Sequence, residues 1–180
     1  IESDQTKNTV TVKPEGGNPR HDEYQQRITF KSTAKSEGKV VETQGNGDKI
    51  VQWAIDYNSE ALVAVAGDTI KDEIASDSQE YMKYYDNGII VSDATGGNVI
   101  SEETIPYDSL TSHSDSSWTY TIPATDTTPY WYKITYQTIV DMKAVNGGGT
   151  DLTLSNGANG HWNSIGVTPG EKVEIDKVDS

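Results

Sequence analysis

A lysine, an aspartate and an asparagine on three separate stretches of the chain could do chemistry together. Asp72 stands between Ile70 and Ile74, and the three share one face of a segment with strand periodicity. Asn156 shares a strand face with Leu152 and Leu154. The segment 31–39 supplies Lys31, Lys35 and Lys39. Burying a lone charge is costly, so a polar group on an apolar face tends to be neutral, paired or chemically used. Desolvation lowers the pKa of a lysine and leaves a neutral amine nucleophile. It raises that of a carboxyl, and a protonated aspartic acid can polarise an amide and shuttle protons. The product would be a Lys–Asn isopeptide bond with loss of ammonia. That is a self-modification with one turnover, not an enzyme activity. The competing reading of Asp72 is a strand-end aspartate that bends out to solvent.

Other constellations are poor. His21, His113 and His161 sit in polar loop text without partners at metal or triad spacing, and read as surface histidines. The stretch from Asn146 to Leu152 is like one calcium-binding Gly/Asp repeat, but a single copy cannot stack into a β-helix and reads as a flexible loop. The Asp-rich stretches 86–93 and 112–115 have no regular ligand spacing for calcium. No metal and no cofactor is expected. Trp118, Trp131 and Trp162 could stack on sugar rings if they shared one face, but their alternation with other apolar residues favours core packing.

The elements that must position these groups are strands. Val51, Trp53, Ile55 and Tyr57 alternate, and so do Trp118, Tyr120 and Ile122. Tyr132, Ile134, Tyr136 and Thr138 continue the pattern over a longer run. Ile28 to Phe30 begins a strand extending to about Ala34. Gly45-Asn46-Gly47-Asp48 is a hairpin turn signal, and Asp86-Asn87-Gly88 another turn. Residues 75–85 are weakly helical, 92–117 are loop-rich, and Ala144 to Thr150 is a Gly-rich loop. Roughly eight to ten short strands with frequent turns and little helix predict an all-β, immunoglobulin-like Greek-key sandwich. The expected organisation is a lead-in strand and Pro/Gly linker over 1–22, one sandwich domain over 23–170, and the start of a linker or next domain over 171–180.

The chain has 180 residues, enough for one ordinary domain or two small ones. Its 28 acidic and 14 basic residues give a net charge of −14, which disfavours nucleic acid and anionic membranes as partners. There is no cysteine, so neither a disulfide framework nor a thiolate metal site can form. No apolar run is long enough for a membrane span, and neither end carries a recognisable signal or sorting motif.

Five pieces of text, in order, resemble the collagen-binding-type (CnaA-like) domain of Gram-positive surface adhesins and pilins. AKSEG at 34–38 is similar to the opening strand of that family, and IVQWAIDYN at 50–58 to its Trp-bearing strand. DTIKDEI at 68–74 resembles the strand that delivers a buried acid. YTIPA at 120–124 with YKITYQT at 132–138 resembles the paired late strands, and LSNGA at 154–158 the terminal one. The resemblance implies an isopeptide between Lys35 and Asn156, promoted by Asp72. Lys31 and Asn159 are the runners-up and Lys39 trails. Ile28 and Phe30 set the inward face of the first strand, and Lys35 falls on the other parity; a bulge or strand switch after Ala34 would turn it inward. The resemblance further implies a module of a multi-domain, cell-wall-anchored adhesin or pilin outside the cell, serving as stalk or attachment domain. Neighbouring domains of the same chain are the expected partners, with a host matrix protein or a glycan as further ones. The alternatives are a ligand-binding head for a matrix protein and a carbohydrate-binding module of a secreted protein.

Overall fold

The computed structural model describes residues 31–170, together with a strand pair of β1 (Lys7–Asn8) and β2 (Gln26–Arg27). Thr9 to Val12, His21, Ile28 to Phe30 and the 171–180 tail lie outside the described residues, and so do the expectations that fall on them.

Two antiparallel sheets enclose one core, as expected for an immunoglobulin-like β-sandwich. One sheet has the order β13-β12-β6-β10-β9. Its strands are β6 (Thr69–Ile74), β9 (Ser112–His113), β10 (Ser117–Thr121), β12 (Leu152–Ala158) and β13 (His161–Val167). The other has the order β3-β5-β11-β7-β8, with β4 also on β5. It comprises β3 (Thr33–Lys35), β4 (Lys39–Thr43), β5 (Lys49–Tyr57), β7 (Met82–Asp93), β8 (Ser101–Pro106) and β11 (Tyr132–Val140).

The alternating residues do what their spacing predicts. Trp53 and Ile55 of β5, Ile134 and Tyr136 of β11, and Ile70 and Ile74 of β6 are all buried. Each fully buried large apolar side chain contributes about 1.5–3 kcal/mol. β11 pairs β5 with Tyr136 opposite Trp53 and Ile134 opposite Ile55. The indole N–H of Trp53 donates to Thr138 Oγ1 at 2.9 Å, so the buried donor is satisfied across the ladder. The β4–β5 hairpin turns where the Gly/Asn/Asp signal lies, with Gly47 at a φ of 94°.

Three local expectations fail. The weakly helical text ends in β7, a strand that begins at Met82 and runs straight through Asp86-Asn87-Gly88. Residues 86–89 of β7 face the single Tyr136, because Tyr85 pairs Gln137 and Ile90 pairs Thr135. The turn-like residues therefore make a bulge inside a long strand. Gly88 is required there: a Cβ on it would sit 2.0 Å from the Ile105 carbonyl oxygen of β8. The 92–117 region is not all loop, since it supplies β8 and β9. The Gly-rich loop starts as a short helix, α1 (Met142–Gly148). Asp141 caps it by accepting from Ala144 N at 3.2 Å, and Gly149, at a φ of 68°, ends it.

Candidate functional site

The site lies between the sheets. On the β6 side, Asp72 pairs with Trp118 of β10 and Ala158 of β12, while Asn156 pairs with Ile74. The Ile70-Asp72-Ile74 alternation therefore points the carboxyl into the core, and Asp72 is 0% exposed. It does not bend out to solvent. Asn156 is likewise 0% exposed, delivered by the same face as Leu154.

The lysine comes from the opposite sheet. Lys35 pairs with Ile55, a residue of the core face, so its side chain enters the core from edge strand β3. The backbone there is tied on both sides. Ser36 N–H donates to the Ala54 carbonyl at 2.9 Å, and Ala54 N–H donates to Ser36 Oγ at 2.7 Å. The free carbonyl of Lys35 accepts from Asn163 Nδ2 of β13 at 3.0 Å, and Gly38 N–H donates to the Ser164 carbonyl at 3.2 Å. These last two bonds close the side of the sandwich beside the lysine.

Lys35 Nζ is buried and has no hydrogen-bond partner among the described residues. It lies over the Trp53 ring at 4.1 Å and the Tyr136 ring at 5.1 Å. Burial pushes its pKa down to about 7, against the opposing pull of the Asp72 charge. Burial pushes Asp72 up to about 6, although Lys35 and three hydrogen bonds favour its carboxylate. Those bonds come from Tyr136 to Oδ2, from Tyr84 to Oδ1 at 2.6 Å, and from Asn156 Nδ2 to Oδ1 at 2.6 Å. Asn156 Nδ2 also donates to the Glu73 carbonyl at 3.0 Å, and its Oδ1 meets the Tyr136 hydroxyl. Trp118 packs edge-on against Tyr136, with ring centroids 5.2 Å apart. An amine, a carboxyl and a primary amide thus share one buried, aromatic-walled pocket.

The runners-up go elsewhere. Lys31 reaches Asp68 at 2.9 Å on the surface. Lys39 sits on the exposed strand β4. Asn159 is a turn residue between β12 and β13, with a φ of 48°, and its Oδ1 accepts from Lys71 N–H at 2.9 Å. Tyr84 and Tyr136 are site residues that the sequence reading did not single out. Tyr136 could have been found as the one hydroxyl at the middle of an inward-facing strand; Tyr84 sits in text that reads as helix and turn.

The three tryptophans do not make one sugar-stacking face. Trp118 is in the core, the Trp131 indole donates to Asp56 at 2.8 Å, and Trp162 lies half exposed across Gly157. His113 stacks on Tyr107 at 4.5 Å between centroids, and His161 is exposed on β13.

No protein-family model matches the sequence, and no curated protein does. Some solved structures are similar to this chain. The collagen-binding domain of the Erysipelothrix rhusiopathiae surface protein RspB is 17% identical with a TM-score of 0.46, over 81% of this chain and 51% of that one. The chain therefore spans about half the length of that structure. The collagen-binding domain of a Staphylococcus aureus adhesin is 16% identical with a TM-score of 0.47, over 76% of this chain and 96% of that one. The collagen-binding subdomain of the Enterococcus faecalis surface protein ACE is 8% identical with a TM-score of 0.48, over 78% and 95%. At that distance no residue role is transferred from them.

Proposed function

We propose that this chain is a stalk module of a multi-domain surface adhesin or pilin, braced by an isopeptide bond that it forms itself between Lys35 and Asn156. The observation that carries the reading is the buried Lys35 Nζ, which lacks any hydrogen-bond partner among the described residues, lies over the ring of Tyr136 and feels the charge of Asp72, itself bonded to Asn156. Leaving such a donor unsatisfied costs about 1–3 kcal/mol or more in a protein core. Conversion to an amide removes the ionisable amine altogether.

The neutral amine of Lys35 attacks Asn156 Cγ, the Cγ–Nδ2 bond breaks, and ammonia leaves with one proton that came from Nζ. Asp72 carries that proton. The role is structural, with no turnover beyond the first, and the partners are neighbouring domains of the same protein. The cell wall of a Gram-positive bacterium is the location that suits a cysteine-free module braced in this way.

Intact mass spectrometry tests the reading. The purified protein should be lighter than its encoded mass by one ammonia, and Asp72→Ala should restore the encoded mass in a folded protein. A wild-type mass equal to the encoded one sinks the proposal. A tandem-mass map that places the link on Asn159 would reject the assignment.

A further inference from the structure

We infer that Tyr136 is a catalytic residue of this reaction, the group that stabilises the negative charge on the amide oxygen, and that Asp72 acts at the leaving nitrogen. The inference rests on the isopeptide reading above.

Three contacts fix the orientation of the amide. Asn156 Nδ2 donates to the Glu73 carbonyl at 3.0 Å, which is a pure acceptor. It also faces Asp72 Oδ1 at 2.6 Å. A flipped amide would set its oxygen against the Glu73 carbonyl, two acceptors with no proton between them. The nitrogen must therefore face Glu73 and Asp72, and the oxygen must face Tyr136.

The proton count then assigns the relay. The Tyr136 hydroxyl lies against both Asp72 Oδ2 and Asn156 Oδ1, yet a phenol has one proton. Asp72 Oδ1 already accepts from Tyr84 and Asn156. In the protonated acid that the reaction needs, the carboxyl proton thus belongs on Oδ2 and donates to Tyr136, which donates to Asn156 Oδ1; in the ionised form Tyr136 donates to Oδ2 instead. Charge develops on Oδ1 as Lys35 Nζ attacks, and this donor is already aimed at it in a buried site.

Atoms and protons balance along the relay. Attack moves the carbonyl electron pair to Oδ1. Tyr136 passes its proton there and is refilled from Asp72 Oδ2–H. The Asp72 carboxylate takes a proton from Nζ and delivers it to Nδ2. The Cγ–Nδ2 bond breaks, ammonia leaves, Oδ1 returns its proton through Tyr136, and Asp72 ends protonated as it began.

The test is a mass time course after cell-free synthesis, comparing wild type, Tyr136→Phe, Tyr84→Phe and Asp72→Ala. Loss of one oxyanion donor slows reactions on the order of a hundredfold, and Tyr136→Phe should slow ammonia loss by about that factor. Tyr84→Phe, which removes a bond to Asp72 and a contact with the Asn156 amide nitrogen but no donor to the amide oxygen, should slow it far less. Equal rates for wild type and a folded Tyr136→Phe overturn the inference while leaving the isopeptide in place. A wild type that never loses ammonia overturns both.

If Tyr136→Phe fails to fold, a fluorotyrosine placed at position 136 keeps the shape and raises the acidity of the phenol. The rate should then change and the pH profile shift; an unchanged rate and profile overturn the inference. In the unreactive Lys35→Met background, the 13C shift of Asn156 Cγ should also respond to the same fluorotyrosine, as a hydrogen bond to its oxygen requires.

Discussion

Lys35 and Asp72 are held near the same pH by burial from opposite directions. The lysine comes down to about 7 and the carboxyl up to about 6. Bond formation needs the amine neutral and the carboxyl protonated. Below pH 6 the rate should rise with pH as Lys35 loses its proton, and above pH 7 it should fall as Asp72 stays ionised. Only a minority of molecules hold both forms at once, and that minority is largest between the two values. Mass-monitored rates across pH 4 to 9 should therefore trace a bell with its top between about 6 and 7. A rate that climbs without limit on the alkaline side would mean that Asp72 needs no proton.

The pocket depends on how the strands around it are shaped. Tyr84 and Tyr136 meet Asp72 from neighbouring strands β7 and β11, Tyr84 just before the bulge at residues 86–89 and Tyr136 opposite it. Gly88 lets β7 and β8 stay paired through that irregularity. Gly88→Ala would drive a Cβ to 2.0 Å from the Ile105 carbonyl oxygen, against backbone that cannot rotate away. We expect it to cost about 1–3 kcal/mol in urea unfolding, the range for overpacking. An unchanged unfolding midpoint would show that the β8 edge yields freely.

The same elements explain what could be read in advance. Asp72 and Asn156 were legible because each interrupts a clean period-two pattern, Ile70-Asp72-Ile74 and Leu152-Leu154-Asn156. Lys35 was not legible by parity. Its strand begins at Thr33 and takes its facing from Ile55 of β5, a partner remote in sequence. Tyr84 was hidden because Asp86-Asn87-Gly88 spells a turn, and only the pairing of β11 and β8 on either side keeps it extended. The Gly-rich stretch after Asp141 hid a helix for the converse reason: a local cap and a buried Val145 outweigh weak propensity.

At the scale of the molecule, the link would join strands from opposite sheets and far apart in the chain. By analogy with a long-loop disulfide, closing such a loop adds on the order of 4 kcal/mol by restricting the unfolded chain. Asn156→Ala should lose that amount in guanidinium unfolding, plus a smaller loss for the side-chain bonds that go with it. Its stability should also rise with pH from about 7 upward, because the free Lys35 amine is bound to fewer protons folded than unfolded in that range. The linked protein has no such amine at this position and should lack that rise. Equal stability of the two proteins would remove the case for a brace.

The link would also decide where a load runs. Lys35 on β3 lies near one end of the described domain and Asn156 on β12 near the other, on facing sheets. A pull applied at residues 31 and 170 would pass from β3 straight into β12, and residues 36–155 would hang from that path as an unloaded ring. Only 31–34 and 157–170 could pay out, about 60 Å of chain at full extension against roughly 480 Å without the bond. The β5–β11 and β11–β7 ladders lie inside that ring and would be spared, while β3 could peel from β5 only as far as Lys35. Such a module is a tether of fixed length, and a string of them would transmit a tug at one end to the other without lengthening by unfolding.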